Sequence, residues 1–405
     1  MLTRFNVGNF LSFKEVTEFS MLKGKPKNKG ERIYSSDSLK ILKFSALFGA
    51  NASGKSNFVK SLAFARNLIV SSLLKKRSLK DYVFKLDDGY RDKPSYFEFE
   101  ILQGEHLYSY GFEVLLNENR FISEWLVKLS PHGSDVNLFT RDLERGEITT
   151  ELKIGDKSLN NKFNVYLDDI KENNEVLFLS EMNRNKGSLY REKSALSIFR
   201  DLFHWFDRRL EIIYPNKPIS PLTNFWEGKE KETICRIIKD FSTGIINYEE
   251  VEVDLEQAQN ITTTSLKFSH GEGTPLFDFS EESDGTKRIL DLLEILLTKQ
   301  NKVFVIDEID RSLHPQLTYR FIKHFLTLAE KRDMQLIVTT HESRLLDFDL
   351  LRQDEIWLSE KNKEGSTNLY SLDEYNVRFD RKVDKAYLEG RYGGVPIFTT
   401  LFANE

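Results

Sequence analysis

The sequence predicts an α/β protein whose core is interrupted by an insertion of mixed structure. Apolar runs typical of buried parallel strands occur in KILKFSALFG at 40–49, NKVFVIDEID at 301–310 and MQLIVTTHES at 334–343. Segments with helical spacing separate these runs, one from Asn57 to about Leu74 and one at roughly 315–330. The repeated order of strand and helix indicates an α/β core.

An antiparallel sheet is expected beside this core. The start of the chain, RFNVGNFLSFKEVTEFSML, alternates apolar and polar residues around Gly8 and Asn9, which indicates two short strands. Three further strand-like runs follow between 94 and 130, and strands return at 247–255 and 262–270, while DEIWLSE at 354–360 is expected to be one more buried strand of the α/β core. The runs between 94 and 130 are separated by turn residues, as in an antiparallel sheet.

We divide the chain into four segments by these patterns. Residues 1–130 form the first half of the core with its β lobe, 131–245 the insertion, 246–360 the second half, and 361–405 an extension. The insertion is predicted to contain one helix across 196–213 and another at 232–241, which carries Cys235 as a small core residue. The first helix has an apolar stripe typical of a domain core, the alternative being a surface for a partner or a second protomer. The stripe consists of Leu196, Phe199, Phe203, Phe206, Leu210 and Ile213.

Composition excludes several classes of protein. A formal charge of −5 over 405 residues argues against a globally basic nucleic-acid binder, and a single cysteine excludes an internal disulfide. The longest apolar stretch, 62–74, contains Arg66 and is too short to cross a bilayer. The first ten residues are too polar for a signal peptide. We therefore expect a cytosolic protein that makes no membrane contact.

Basic residues cluster in two stretches of the first hundred residues. The stretches are 23–32, with Lys23, Lys25, Lys27, Lys29 and Arg32, and 75–80, with Lys75, Lys76, Arg77 and Lys80. Such runs are usually solvated faces. The alternative is a local nucleic-acid contact, whose affinity would fall steeply with salt.

The segment GANASGKS at 49–56 matches the phosphate-loop pattern G-x-x-x-x-G-K-[ST]. It lies between a predicted strand and a predicted helix, so backbone N–H groups would point at an anion. Lys55 is expected to reach the β- and γ-phosphates of ATP, and the Ser56 hydroxyl to bind Mg²⁺. The residues predicted to contact the nucleotide are Gly49, Asn51, Ser53, Gly54, Lys55, Ser56 and Asn57. An ordinary glycine-rich turn is the alternative, which the strand–turn–helix context disfavours.

An acidic pair ends the apolar run VFVIDEID at 303–310. Two carboxylates at the end of a buried strand are costly unless a cation is close, so Asp307 is predicted to hold the Mg²⁺ shell. Glu308 is predicted to activate the attacking water as general base. A strand end that simply emerges into solvent is the alternative.

The stretch EESDGTKRILDLLEILL at 281–297 begins with residues that favour a helix cap. It precedes the acidic strand by about one helix, and RSLHP at 311–315 follows that strand. His341 ends the next strand, 34 residues beyond Asp307. This order of short motif, helix, acidic strand and strand ending in histidine is the order found in ABC-type ATPases.

The whole pattern resembles the AAA15-type ABC ATPases of prokaryotes. The resemblance rests on RFNVGNFLSFKE, FEFE with YSYGFEV, ESDGT, DEID, LHP, THES, DEIWL and RYGGVP, and is weakest across 131–245. It implies an ABC-type P-loop NTPase head with an antiparallel β lobe and a mixed, partly helical insertion. It also implies that Ser283 and Gly285 act as a loose form of the ABC signature on a nucleotide held by another subunit. RSLHP would be the D-loop and His341 the switch histidine, while the glutamine of the Q-loop has no assigned position.

The same resemblance implies partners. Two chains would sandwich two ATP molecules in a homodimer or higher oligomer. Relatives include ATPase components of abortive-infection and restriction-linked anti-phage operons, often paired with a Toprim-type nuclease, and overcoming-lysogenization-defect nucleases. A nuclease within this chain is disfavoured, because the D-x-D after the core, Asp347-Phe348-Asp349, lies in a helix-and-turn pattern. The rivals are a compact DNA-repair or recombination ATPase and a non-catalytic scaffold with structural ATP.

Overall fold

The structure is a computed structural model that describes residues 1–36, 39–71, 78–130, 133–190, 194–215, 231–241, 243–254, 262–298, 301–375 and 383–395. The strands in chain order are β1 (Leu2–Gly8), β2 (Thr17–Ser20), β3 (Ile33–Ser35), β4 (Lys40–Leu42), β5 (Phe44–Gly49), β6 (Ser95–Gln103), β7 (His106–Leu115), β8 (Arg120–Leu129), β9 (Val136–Asp142), β10 (Glu147–Thr149), β11 (Leu210–Ile213), β12 (Asn247–Asp254), β13 (Thr262–Ser269), β14 (Phe277–Asp278), β15 (Val303–Ile306), β16 (Gln335–Thr339), β17 (Ile356–Lys361) and β18 (Thr367–Ser371). The helices are α1 (Lys55–Ser71), α2 (Lys157–Ile170), α3 (Phe178–Asn183), α4 (Ser197–His204), α5 (Lys231–Asp240), α6 (Asp284–Leu297), α7 (Pro315–Ala329) and α8 (Val383–Leu388).

The chain divides into two compact units. The first consists of Met1–Ile212, Asn301–Asp307 and Asp333–Glu405, and the second of Ile213–Gln300 and Glu308–Arg332. Across the described ranges, no helix combines the length and apolar character needed to cross a membrane. The boundaries of the four segments predicted above stay predictions.

A six-stranded sheet forms the centre of the first unit. Its order is β11-β15-β16-β5-β17-β18, and β15, β16, β5 and β17 run parallel. The register pairs Val305 with Ile337 and Val338 with Ala46, and every residue of β5, β15 and β16 is buried. The predicted α/β core is confirmed. Because the strands are parallel, their carboxyl ends lie at one edge, and the phosphate loop and the acidic strand end there together.

The second sheet of this unit is the antiparallel lobe. It has the order β10-β9-β8-β7-β6-β1-β2 and includes the strands predicted at the start of the chain and between 94 and 130. Along β6 the burial alternates, with Phe97, Phe99 and Ile101 inside. This period of two is the pattern of a sheet with one face on the core.

A fully buried ion pair joins the antiparallel sheet to the segment that follows it. Glu124 on β8 lies 3.0 Å from Arg141 on β9, and neither side chain is exposed. Glu124 also accepts the Tyr110 hydroxyl at 3.0 Å and the Phe178 N–H at 2.7 Å, while Arg141 donates to the Ile170 carbonyl at 2.9 Å. A buried ion pair is tolerated when hydrogen bonds satisfy its remaining atoms. The pair thus fixes α2 and α3 in a region where the sequence pattern predicts little.

The single helix predicted across 196–213 is wrong. The helix α4 ends at His204, a π-helical turn covers Trp205–Arg209, and β11 follows at the edge of the parallel sheet. The Arg66 guanidinium on α1 donates to the Phe206 carbonyl at 2.7 Å and the Asp207 carbonyl at 2.9 Å, which an α-helix would bond to the N–H groups of residues 210 and 211. Because these carbonyls bond to a distant cation, the helical bonds give way to a strand. Five of the six stripe residues are buried, as expected of a core, and Phe203 is half-buried.

The second unit contains α5, α6, α7 and the sheet β12-β13-β14. The helices α6 and α7 pack on each other, and Leu293 and Phe325 are among their buried residues. Asp240 at the end of α5 accepts from Arg320 at 3.0 Å and pairs with His324 at 2.8 Å on α7. The predicted helix at 315–330 begins at Pro315, a favoured first helical residue, behind an N-cap at His314.

The first basic stretch, 23–32, is docked through Lys29 and Arg32, while Lys25 and Lys27 are exposed. Lys29 donates to the Phe348 and Leu351 carbonyls, and Arg32 donates to the Leu350 carbonyl at 2.6 Å. Burial lowers the pKa of the Lys29 ammonium. These two cations therefore satisfy carbonyls of the 348–351 turn. Lys75, Lys76 and Arg77 of the other stretch, and the predicted helix end at 72–74, lie outside the described residues.

The docked loop covers a buried carboxyl whose ionisation opposes folding. Glu355 is 1% exposed and accepts the Arg352 N–H at 2.8 Å. Burial, with a smaller contribution from Asp354, raises the pKa of Glu355 to about 7. In the unfolded chain this group ionises at its ordinary lower pKa, so the folded state holds the extra proton between about pH 5 and pH 7. Stability is therefore lost as the pH rises through that window.

Glu355→Gln is expected to remove this pH dependence, because the amide resembles the protonated carboxyl. The difference in free energy of unfolding between the variant and wild type should increase in favour of the variant by up to about 1.4 kcal/mol per pH unit between about pH 5 and pH 7. Urea titrations at pH 5.5 and pH 7.5 measure it. Glu374→Gln is the matched control, since Glu374 accepts a backbone N–H in the same capping geometry but is exposed. Parallel pH profiles for wild type and Glu355→Gln would contradict the prediction.

Candidate functional site

The phosphate loop connects the end of β5 to the start of α1 and needs both of its glycines. A Cβ on Gly49 would lie 2.6 Å from the Ser53 hydroxyl, and a Cβ on Gly54 would collide with the Thr367 hydroxyl. Gly54 also has a φ of +113°, which side chains disfavour. Both glycines of the pattern G-x-x-x-x-G are therefore required in this fold, because side-chain atoms occupy the space that a Cβ would need at each position.

Side chains from elsewhere in the first unit brace the loop. The Ser53 carbonyl accepts the Ser359 hydroxyl at 3.0 Å and the Thr367 hydroxyl at 2.9 Å. The Thr367 and Ser12 hydroxyls are hydrogen-bonded to each other at 2.8 Å, and Asn57 donates its amide to the Ser12 hydroxyl oxygen at 2.8 Å. Asn57, which was predicted to contact the nucleotide, here links α1 to Ser12, in the connection between β1 and β2.

The interior of the loop is polar and suits a phosphate. Lys55 is 5% exposed, and its ammonium donates to the Gly49 carbonyl at 2.6 Å and the Ala50 carbonyl at 2.9 Å. The Ser53 hydroxyl is buried and makes no hydrogen bond within the described part of the chain. A buried hydroxyl of this kind is costly unless a ligand completes its bonding. Asn51 lies exposed at the tip of the loop.

Ser56 and Asp307 meet at the carboxyl edge of the parallel sheet. The Ser56 hydroxyl donates to Asp307 Oδ1 at 3.1 Å, and the Thr339 hydroxyl donates to the same oxygen at 2.7 Å. Asp307 is 5% exposed, so its charge is largely removed from bulk water. A hydroxyl and a carboxylate are ligands that Mg²⁺ prefers, with phosphate oxygens and water as the others. The described ranges contain no cluster of three His, Cys, Asp or Glu, which such a site does not require.

His341 lies two residues beyond β16 at the same edge. It is exposed, and the preceding Thr340 donates its N–H to the Leu47 carbonyl on β5 at 3.1 Å. The register of β16 and β5 thus places the histidine backbone beside the strand that leads into the phosphate loop. A side chain on this loop is accessible to a ligand.

Glu308 follows Asp307 in the chain and belongs to the second unit. Its φ is +48°, an uncommon left-handed conformation for a glutamate, and its side chain is 34% exposed. Its carbonyl accepts the Arg311 N–H at 3.1 Å, and its carboxylate lies 3.4 Å from the Arg311 guanidinium. Strained residues of this kind cluster at functional sites.

Ser283 is the N-cap of α6, as the cap interpretation predicts. Its hydroxyl accepts the Thr286 N–H at 3.1 Å, and the residue is exposed. A Cβ on Gly285 would lie 3.0 Å from the Ser312 carbonyl, so the glycine lets the helix start approach the loop after β15. The second unit therefore presents an accessible helix N-terminus, which is suited to an anion. That this terminus serves another subunit stays a prediction.

Sequence reasoning missed the residues that act through long-range contacts. These are Ser12, Thr339, Ser359 and Thr367. Thr339 left a signal, since it is a polar residue that directly follows the apolar run Leu336 to Val338 at the end of the strand. Ser359 and Thr367 left none, because only the pairing of β17 with β5 and β18 brings them to the loop.

Comparison with known protein families identifies the family to which this chain belongs. Residues 44–347, more than half of the chain, match the family model described as "AAA domain, putative AbiEii toxin, Type IV TA system". The chain belongs to this AAA family. It is accordingly an ATPase of the AAA/ABC-like type. The match begins at the first residue of β5 and ends in the turn after β16, so it contains every predicted site residue of this family member.

Solved structures similar to this AAA-family chain include heads of SMC proteins. The SMC head domain from Thermotoga maritima has 15% identity and a TM-score of 0.44, covering 91% of this chain and 98% of that one. An SMC head bound to the C-terminal winged-helix domain of ScpA has 14% identity and a TM-score of 0.48, covering 91% and 97%. An SMC head with an extended coiled coil, bound to the C-terminal domain of ScpA from Pyrococcus furiosus, has 15% identity and a TM-score of 0.44, covering 91% and 96%. No curated protein has a sequence that matches this chain.

Proposed function

We propose that this protein is a Mg²⁺-dependent ABC-type ATPase whose ATP-bound dimer controls a partner effector. The observation that carries the proposal is the contact of Ser56 with Asp307 beside the buried ammonium of Lys55. The phosphate loop, the proposed Mg²⁺ ligands and the Lys55 ammonium then lie at one edge of a parallel sheet. Binding of ATP together with Mg²⁺ requires these three groups close to one another.

Binding would use groups that are already held in place. Lys55 would exchange the Gly49 and Ala50 carbonyls for the β- and γ-phosphates of ATP, and the Ser53 hydroxyl would gain an acceptor. The loop N–H groups and the start of α1 would hold the remaining oxygens. Thr339 fixes the carboxylate of Asp307, which with the Ser56 hydroxyl would hold Mg²⁺. The ion, when bound, neutralises charge on the phosphates.

Hydrolysis needs a base that reaches a water molecule. Glu308 is the candidate, because its carboxylate is partly exposed and follows the metal ligand directly in the chain. It would take a proton from the attacking water as the oxygen approaches the γ-phosphorus. His341, exposed at the same sheet edge as the phosphate loop, would contact the γ-phosphate. Hydrolysis separates the γ-phosphate from ADP, so the contact between His341 and the bound nucleotide would be lost.

The second half of each site would come from another copy of the chain. Ser283 and Gly285 lie at an exposed helix N-terminus, and such an end attracts the charge of a γ-phosphate. ATP would then join two protomers and hydrolysis would release them, giving an assembly state that an effector can read. The family description, which includes the words "putative AbiEii toxin", supports a role in anti-phage defence. A Toprim-type nuclease is the effector that the sequence resemblance implies.

Lys55→Met tests the proposed nucleotide site. The variant should bind ATP about ten- to a hundredfold more weakly than wild type, because a charge-assisted hydrogen bond contributes about 1.5–3 kcal/mol. Titration with a fluorescent ATP analogue in the presence of Mg²⁺ measures the affinity, and light scattering reports ATP-dependent dimers. Lys60→Met, an exposed lysine on the same helix, is the matched control and should bind as wild type does. Equal affinity of the two variants would exclude the site.

The rival function, DNA-repair or recombination ATPase, gives a different result in solution. Filter binding of duplex DNA with and without ATP, across a range of salt, separates the two. Tight ATP-dependent binding of DNA by the isolated protein would favour repair. No phosphate release from folded protein that binds ATP would favour a scaffold in which the nucleotide is structural.

A further inference from the structure

The segment after β18 returns to the phosphate loop through a double-glycine turn. A Cβ added to Gly394 would lie 3.8 Å from the Gly49 Cα and 3.7 Å from the Ser359 carbonyl oxygen, so the space between Gly394 and Gly49 admits little more than one methyl group. Gly393 and Gly394 have φ values of +73° and +69°. Both conformations favour glycine. The turn therefore depends on its glycines, and its second one lies close to the first residue of the phosphate loop.

Tyrosine hydroxyl groups hold the turn at this position. Tyr387 on α8 donates to the Gly394 carbonyl at 2.9 Å, and Tyr370 on β18 donates to the Tyr392 carbonyl at 2.9 Å. The Tyr387 ring also packs edge-on against Phe48, with the ring centroids 6.3 Å apart. Phe48 is the residue before Gly49 on β5. The turn is thus fixed to the strand that it contacts.

The other end of the segment is anchored at the loop after β16. The helix α8 packs against the 3-10 turn Ser343–Leu345, which starts two residues after His341. Val383 and Ala386 of α8 are buried. One segment of thirteen described residues, 383–395, therefore contacts the turn that follows His341 and the end of β5, and its Gly394 lies close to the phosphate loop. It lies beyond the range that matches the family model, 44–347.

We propose that residues 383–395 form a positioning element that holds the phosphate loop in its nucleotide-binding conformation. The inference rests on the proposed function, because it concerns the affinity of the same site. Gly394 and Tyr387 act through Gly49 and Phe48 and are positioning residues. The phosphate loop holds mainly the α- and β-phosphates, which ATP and ADP share. Loss of the contact should therefore weaken both nucleotides to a similar extent.

The test compares two glycines with the same backbone geometry. Gly394→Ala places a side chain at φ +69° beside Gly49, with no neighbour closer than 3.5 Å to the new Cβ. Gly146→Ala places one at φ +66° in the hairpin between β9 and β10, where no atom lies within 4 Å. The backbone strain is the same in both, so both should lower the melting temperature equally. Only Gly394→Ala should raise the Kd for ATP and for ADP, by about three- to tenfold.

A second variant leaves the backbone unstrained. Tyr387→Phe removes the hydrogen bond to Gly394 and keeps the ring on Phe48, so it should raise both Kd values by about two- to fivefold. In steady-state assays of the full-length chain, KM for ATP should rise while kcat changes by less than about twofold.

The outcomes separate the inference from the proposed function. Wild-type protein that binds neither nucleotide would overturn both. Wild-type binding together with equal affinities for Gly394→Ala and Gly146→Ala would overturn the positioning role alone. Weaker binding of ATP with unchanged binding of ADP would also overturn it, because the effect would then arise at the γ-phosphate and not at the phosphate loop.

Discussion

Glu308→Gln is expected to bind ATP as tightly as wild-type protein and to hydrolyse it at least about a hundredfold more slowly. The amide keeps the size of the side chain and removes the proton acceptor, and general-base catalysis contributes about 10²–10⁴ in rate. The left-handed turn should survive, because the bond from the Arg311 N–H to residue 308 uses the backbone carbonyl. ATP-bound dimers should accumulate, since hydrolysis is the step that releases them.

Two measurements check this expectation. Phosphate release gives kcat, and light scattering with Mg²⁺ and ATP gives the dimer fraction. Glu330→Gln is the matched control, an exposed glutamate at the end of α7 in the same unit, and should hydrolyse ATP at the wild-type rate. Turnover of Glu308→Gln within about threefold of wild type would remove Glu308 from the role of base.

Local sequence pattern was sufficient for the parts of the site that lie within one strand–turn–helix or strand–turn unit. The phosphate loop from Gly49 to Ser56 follows a buried strand, and its glycines, lysine and serine have fixed spacing. The acidic end of β15 was predicted in the same way. Ser56 and Asp307 were each predicted to bind Mg²⁺, and their side chains lie 3.1 Å apart.

Contacts between distant parts of the chain were beyond local pattern. Thr367 reaches the Ser53 carbonyl only because β18 pairs with β17, and β17 with β5. The predicted helix across 196–213 failed for a similar reason. Its spacing is helical, but the Arg66 guanidinium takes the carbonyls on which the helix would depend. A tertiary contact overrides propensity whenever it bonds the backbone groups that the local structure needs.

Mixing two inactive variants is expected to restore hydrolysis if each site is built from two chains. Lys55→Met removes the phosphate-loop cation, and Ser283→Arg places a bulky cation at the exposed start of α6. Each homodimer has two damaged sites. A mixed dimer has one site with both defects and one site with neither, because the intact Lys55 and the intact Ser283 then face each other. Equal mixing makes about half of the dimers mixed, so about a quarter of the wild-type rate should return.

The loss of a helix cap must be separated from the loss of the proposed contact. Ser283→Arg removes the bond to the Thr286 N–H, which costs about 1 kcal/mol of stability. Asp156→Arg removes an equivalent bond from the N-terminus of α2, where Asp156 accepts the Leu159 N–H at 2.8 Å. Asp156→Arg should lose a similar amount of stability and keep its turnover.

The restored rate decides between a shared site and one completed within a single chain. If one chain supplied both the lysine and the serine of a site, every site in the mixture would carry one of the two defects. The rate would then be the mean of the two separate variants weighted by their amounts, which stays near zero at every mixing ratio because both variants are nearly inactive. A shared site instead gives a rate that is highest at equal amounts and falls as either variant is in excess, since the mixed dimers fall in number. A flat dependence on the mixing ratio, measured after subunit exchange without nucleotide, would rule out the nucleotide sandwich.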